Sequence, residues 1–341
     1  MRKRRVPFDS ANFDRFLARL PKPEVHLHFE GALPWEVAHA ADPQRYPSPP
    51  ASWASDFRFR DFAHFEEELL GMAFPWFISP ERYAEAGRAL FASLHERENV
   101  RYVETSFASG VMEFLGLDGQ AVARAIKASA PEGLHVRVFM GIHHNGYHAG
   151  TRDFLEESLT WPELDGIDLH GTETFPLESW TAGFWARARA AGKVTKAHAG
   201  EFDGPDFVRR VIHELGVTRI QHGVRASEDP ALLAEMAGNG VACDVCPISN
   251  VKLGVVPSIA EHPIRQMVEA GVPCTINTDD PISFGNRLGD EYRALHLEQG
   301  WTLRELAELA KNGFSRALLP DVEKNRLLAE VEAVVKEFTC E

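Results

Sequence analysis

The chain has 341 residues, 44% of them hydrophobic and 25% charged, which is ample to bury a full core and unlike a disordered polypeptide. A formal net charge of −14 argues against a phosphate backbone as partner, so no nucleic acid is expected. The basic start, Met1-Arg2-Lys3-Arg4-Arg5, leads into no apolar stretch and reads as a solvated terminus; with no secretory leader, membrane span or disulfide framework in view, a cytoplasmic protein is expected.

In chain order, short β-rich runs alternate with helix-like stretches. The runs cover residues 25–28, 100–107, 136–142, 166–169, 194–198, 219–222, 241–246 and 273–277. Between them, residues 81–96 place Tyr83, Ala86, Leu90 and Leu94 on one helical face, and residues 229–238 carry Leu232, Leu233 and Met236. Such alternation implies a parallel sheet with crossover helices, and eight repeats are the number that closes a (β/α)8 TIM barrel. An open doubly wound sheet would be expected to carry G-x-G-x-x-G after its first strand, and none is there. The expectation is an α/β fold, one barrel domain over residues 1–341, with a helical lid insertion in 31–99 and closing helices at 302–317 and 324–335. The insertion is rich in aromatic residues near 57–65; Phe62 and Phe65 either pack a helix contact or form an apolar lid over a flat substrate.

Polar residues gather where these strands end, which in a barrel is the active-site face. The first run ends in His26-Leu27-His28, and strand alternation puts both imidazoles on one face, as two ligands of one metal require. The fifth ends at His198-Ala199-Gly200-Glu201, the sixth at His222-Gly223, and the eighth at Asn277-Thr278-Asp279-Asp280-Pro281. Each motif alone has an ordinary reading as a core histidine or a capping aspartate; their recurrence at corresponding strand ends does not. Imidazole nitrogen and carboxylate oxygen suit zinc, and three histidines with one aspartate leave room for a water whose pKa the metal lowers. A histidine and a glutamate beyond the metal set would then supply base and acid. The C-x-x-C of Cys243 and Cys246 lies in a strand-like run, so the two thiols face opposite ways and read as buried structural groups.

The motifs His26-Leu27-His28-Phe29-Glu30-Gly31, His198-Ala199-Gly200-Glu201, His222-Gly223, Ser249-Asn250 and Thr278-Asp279-Asp280-Pro281 resemble those of the adenosine deaminase family. They follow the family's order and approximate spacing from Leu20 to about Leu319. The resemblance implies zinc-dependent hydrolytic deamination of a 6-aminopurine nucleoside or base to the 6-oxopurine and ammonia. It implies one zinc per subunit on His26, His28, His198 and Asp279. Glu201 would protonate the ring nitrogen beside the carbon under attack, and His222 would orient and deprotonate the attacking water. Asp280 would bond the imidazole side of the purine, and the Gly171 backbone N–H its other edge. The partner is then a small purine, with no membrane; a homo-oligomer is compatible with all of this. A glutamate that donates must first hold a proton, so Glu201 is expected in a partly dry pocket that raises its pKa.

The chain departs from the family pattern at several positions. Glu30 stands where adenosine-specific members commonly have an aspartate, and a longer carboxylate is found in members that act on free adenine; relatives acting on aminodeoxyfutalosine also vary here. Gly171, in contrast, keeps the nucleoside-type pattern. Adenine deaminase and aminodeoxyfutalosine deaminase are therefore the alternatives to an adenosine-type activity, and hydrolysis of a cyclic amide or ester is a remoter one. A non-catalytic binder need not retain Glu201 and His222, and both are present. An aryl carboxylate on the substrate would need a cation, for which Arg58 or Arg60 is the candidate; no basic cluster near the motifs favours a phosphorylated substrate such as AMP. The second strand lacks the arginine usual two positions after Val103-Glu104. His143, His144 and His170 are either solvated loop residues or extra pocket groups. The fourth strand ends Leu169-His170-Gly171 without a bridging lysine, which favours one metal, while Lys196 keeps a two-metal reading open.

Overall fold

The computed structural model describes residues 10–339; the basic start and Cys340 lie outside the described residues. The eight expected runs are eight strands: β1 (Lys22–His28), β2 (Val100–Ala108), β3 (His135–His143), β4 (Gly166–His170), β5 (Val194–Ala199), β6 (Arg219–His222), β7 (Ala242–Val245) and β8 (Cys274–Ile276). All neighbours pair in parallel, in sequence order. The ring closes through a bridge between Leu27 and Asp279, where His28 N donates to Asp279 O at 3.0 Å and Asp279 N to His26 O at 3.1 Å. The architecture is a (β/α)8 barrel, and its closing bonds run through three residues of the metal motifs, His26, His28 and Asp279.

β1 begins three residues before the expected run. An unforeseen helix, Ser10–Arg19, precedes it with Phe13, Phe16 and Leu17 buried. Buried Lys22 donates to Leu17 O and Leu20 O and so satisfies carbonyls the helix end leaves open. The segment between β1 and β2 holds helices Trp35–Ala41, Phe62–Ala73 and Pro80–Arg97. The last starts with proline in its first turn and buries Tyr83, Ala86, Leu90 and Leu94 as its periodicity foretells. Helices Leu303–Ser315 and Asp321–Thr339 close the chain; Thr302 and Glu305 form a reciprocal capping box on the first. The three described cysteines are free and buried: Cys243 lies under Gly223, while Cys246 turns to His26, the opposite facing that alternation predicts.

The barrel interior is charged rather than aliphatic. Glu104 of β2 takes Arg219 of β6 at 2.8 and 2.9 Å and the ammonium of Lys196 from β5; Arg219 also reaches Asp244 of β7 at 2.7 Å. Burial by itself would raise the Glu104 carboxyl, but the guanidinium and ammonium overcome it and hold it at about 2. Glu104 thus finds its counter-charges on other strands across the barrel. Lys196 also donates to Val25 O at 2.7 Å, so its ammonium is committed beneath the metal motifs.

Candidate active site

β1 alternates Glu24, His26 and His28 inward, and β5 does the same with Lys196 and His198. At the mouth of the barrel His26, His28, His198 and Asp279 bring their ligand atoms within 4.8 Å of one another. His198 Nε2 lies 3.1 Å from His26 Nε2 and 3.2 Å from His28 Nε2; Asp279 Oδ1 lies 3.4 and 3.2 Å from the same two nitrogens. Ligands about 2.1 Å from a zinc would stand about 3.0–3.4 Å apart, depending on the angle between them.

The other side of each ligand explains the orientation. His26 Nδ1 meets Asp244 O at 2.8 Å, and His28 Nδ1 meets Ser106 Oγ at 3.3 Å. His198 Nδ1 lies 3.1 Å from Leu169 O and 3.2 Å from Asp168 Oδ2. With Nδ1 facing these oxygens, each Nε2 keeps a lone pair for the centre. Ser249 Oγ donates to Asp279 Oδ2 at 2.7 Å and leaves Oδ1 for the cluster. Converging lone pairs at these distances repel unless a cation sits among them, so the donor set fits a metal ion.

Two of the three described non-glycine residues with positive φ are in this site: His222 at 63° and Asp279 at 68°. Such backbone is costly and persists where the surroundings enforce it. In β6 it lets consecutive residues face inward, Gln221 into the barrel and His222 to the mouth. His222 Nε2 stands 3.5 Å from Glu201 Oε1 and 3.8 Å from Asp279 Oδ2. Burial, then the charges of Asp279, Glu173 and Asp280, raise the Glu201 carboxyl well above its ordinary range. Its environment is the dry one expected of a proton donor. Burial and neighbouring Asp279 raise Asp280 likewise, and among the described residues its buried Oδ1 has no hydrogen-bond partner. Gly31 lies so near Asp280 that a Cβ there would be 1.7 Å from Oδ1; only glycine lets the turn after β1 pass.

These groups line a cavity of about 220 Å³. Glu30, Phe62, Phe65 and Gly171 are all on its wall, with His28, His198, Glu201, His222, Asp279 and Asp280. Glu30 is fixed: Tyr83 Oη donates to its carboxylate at 2.7 Å and Ala108 N at 3.2 Å. Phe65 also stacks on Phe284 with ring centroids 5.3 Å apart, and Phe62 meets Phe202. Arg58 and Arg60 do not reach the cavity. Both are exposed, and the Arg58 guanidinium bonds Ser55 O and Phe57 O. The solvated-loop reading of His143, His144 and His170 is also corrected: His143 and His170 line the cavity with rings 4.9 Å apart, and His144 is buried against Phe207. Strand length explains the error, because β3 and β4 run on through His143 and His170.

Sequence reasoning missed Glu173. Its buried carboxylate accepts from the backbone N–H of Glu201, Phe202 and Asp203 at 2.8–3.2 Å and shapes the loop that carries Glu201. No spacing rule marks a lone glutamate after β4, so only the fold reveals it.

His26, His28, His198 and Asp279 would hold a cation that acidifies water in the barrel mouth, beside the Glu201 carboxyl whose pKa burial raises; the fold and donor set define a metal-dependent hydrolase. Comparison with known proteins narrows the class. The chain belongs to the adenosine deaminase family, whose model matches residues 21–334. It is 32% identical over 333 residues to an adenine deaminase of Sphingopyxis alaskensis, covering 93% of this chain and 96% of that one. It is 33% identical over 337 residues to an aminodeoxyfutalosine deaminase of Streptomyces coelicolor, covering 93% and 85%. The crystal structure of adenine deaminase from Arthrobacter aurescens superposes with a TM-score of 0.83 at 26% identity, covering 93% and 99%. The chain is a metal-dependent deaminase of the amidohydrolase superfamily, and its chemistry is deamination of an aminopurine. Among the described residues no helix is long and apolar enough to cross a membrane.

Proposed function

We propose that this chain is a one-zinc deaminase of uncharged 6-aminopurines, with free adenine as its first substrate, releasing ammonia and the 6-oxopurine. The observation that carries the choice is the cavity wall: among the described residues that line it there is no lysine or arginine, while Glu30 and Glu66 are there with Phe62, Phe65, Leu69 and Phe74. A carboxylate or phosphate on the substrate would lose its hydration there without a counter-charge. The curated relatives named above support a base or an aminodeoxyfutalosine over adenosine itself, and the wall favours the base.

His26, His28, His198 and Asp279 would hold the zinc, one ion per subunit. Zinc bound there supplies an attacking water acidified toward neutral pH. Glu201 carries the proton for the ring nitrogen beside the amino-bearing carbon. His222 orients the attacking water. The free Oδ1 of Asp280 bonds the imidazole side of the purine, and Gly171 N–H the opposite edge. Phe62 and Phe65 cover the ring face and exclude water; the 31–99 segment serves as a lid on a single domain spanning 1–341.

Ammonia release from adenine, adenosine, aminodeoxyfutalosine and AMP, with zinc content measured on the same sample, tests the proposal. Adenine is expected to lead and the two anionic substrates to trail. Turnover confined to aminodeoxyfutalosine would overturn the reading of the wall.

A further inference from the structure

Glu201 and His222 meet over a single amide. Asn250, in helix Pro247–Lys252 after β7, is fully buried; its Nδ2 lies 3.3 Å from Glu201 Oε1 and 3.1 Å from His222 Nδ1. Its Oδ1 lies 3.1 Å from Nε2 of His262, itself buried, and His262 Nδ1 lies 3.1 Å from the backbone N of Ile264. Every direction in this chain follows from its last member. A backbone N–H can only donate, so His262 Nδ1 accepts, and the proton of that imidazole is on Nε2. Burial pushes His262 down to about 3, which keeps it neutral. His262 Nε2–H donates to Asn250 Oδ1, which turns the amide NH2 toward Glu201 and His222. His222 Nδ1 therefore accepts, and the one proton of neutral His222 is on Nε2, the atom facing Glu201 and Asp279 at the mouth.

We propose that Asn250 and His262 are positioning residues that lock His222 as its Nε2–H tautomer, so that it serves as a hydrogen-bond donor to the oxygen of the attacking water and not as the base. This rests on the deaminase reading for the identity of that water. The lock resists both ways of undoing it. A second proton on His222 Nδ1 would face the Asn250 NH2, and inverting the amide would set that NH2 against His262 Nε2–H. The oxygens left facing the same space are Glu201 Oε1, of a carboxyl that already carries the proton for the ring nitrogen, and Asp279 Oδ2, so the proton of the attacking water goes to Asp279.

The tautomer can be read directly by 15N NMR of histidine-labelled, zinc-loaded protein, with His222 assigned from its loss in His222→Gln. A protonated Nε2 and a bare Nδ1 are expected. Asn250→Asp keeps the shape but offers only acceptors, so it should draw the proton onto Nδ1. With the donor gone, kcat should fall by about 10²–10³ with a much smaller change in KM. A wild-type His222 protonated on Nδ1 would overturn the proposal, and needs no variant to fold. So would an Asn250→Asp protein with an inverted tautomer and near-normal kcat. The tautomer is read without turnover: an inactive protein with His222 protonated on Nε2 would support the lock and refute only the deaminase reading.

Discussion

Asp168 offers no atom to the metal-type cluster, yet it fixes one member of it. Its Oδ2 stands 3.2 Å from His198 Nδ1, opposite the nitrogen that points to the centre. Asp168→Asn should keep the fold and weaken zinc retention by about 10–100-fold, measured by competition with a chelator. Glu201→Gln keeps the size and removes the transferable proton; zinc content should stay while turnover drops by about 10²–10⁴-fold. Wild-type rates in that variant would end its assignment as the acid. The motif residues were legible because ligation demands particular residue types at strand ends. Asp168 and Glu173 were not, because any buried aspartate or glutamate looks alike until the fold shows which N–H it faces.

At the scale of one element, helix Phe62–Ala73 forms a wall of the cavity with Phe62, Phe65, Leu69 and Leu70. It starts at Asp61, whose Oδ1 accepts from His64 N at 2.8 Å. Asp61→Ala should destabilise the helix by about 1 kcal/mol, seen as greater amide exchange there, since one terminal N–H loses its acceptor. Phe62 is half-buried and touches Phe202 across the mouth, so Phe62→Ala should raise KM for the purine several-fold with kcat nearly unchanged; a loss confined to kcat would count against a role in binding. The aromatic cluster was visible in the sequence. Its target was not: which rings face Phe284 and which the cavity depends on the approach of two distant segments.

For the whole molecule, two buried groups whose protonation the fold resists, Glu104 in the barrel and His262 beside Asn250, give stability that acid removes. Glu104 is held at about 2 and His262 at about 3, both below the values those groups have in an unfolded chain. Each therefore contributes stability that is full above its unfolded pKa and is lost as pH falls, between about 6.5 and 3 for His262 and between about 4.5 and 2 for Glu104. The thermal midpoint should fall on acidification from pH 6.5, and Glu104→Gln should flatten the lower part of that slope. The same change leaves Arg219 and Lys196 short of a buried partner, so it should cost about 3–5 kcal/mol in urea unfolding at neutral pH. An unchanged unfolding midpoint would show that the interior charges are compensated elsewhere.

The sequence by itself determined the barrel and the metal-type residues. Strand and helix periods are local, eight repeats leave little other closure, and a ligand is recognisable by its chemistry wherever a strand ends. Only the tertiary structure decided what those residues can do. The left-handed turn at His222, the reach of Arg219 across to Glu104, the distance of Arg58 from the cavity and the amide that joins His262 to His222 all depend on groups far apart in the chain. Their hydrogen-bond directions and burial exist only once the barrel has closed.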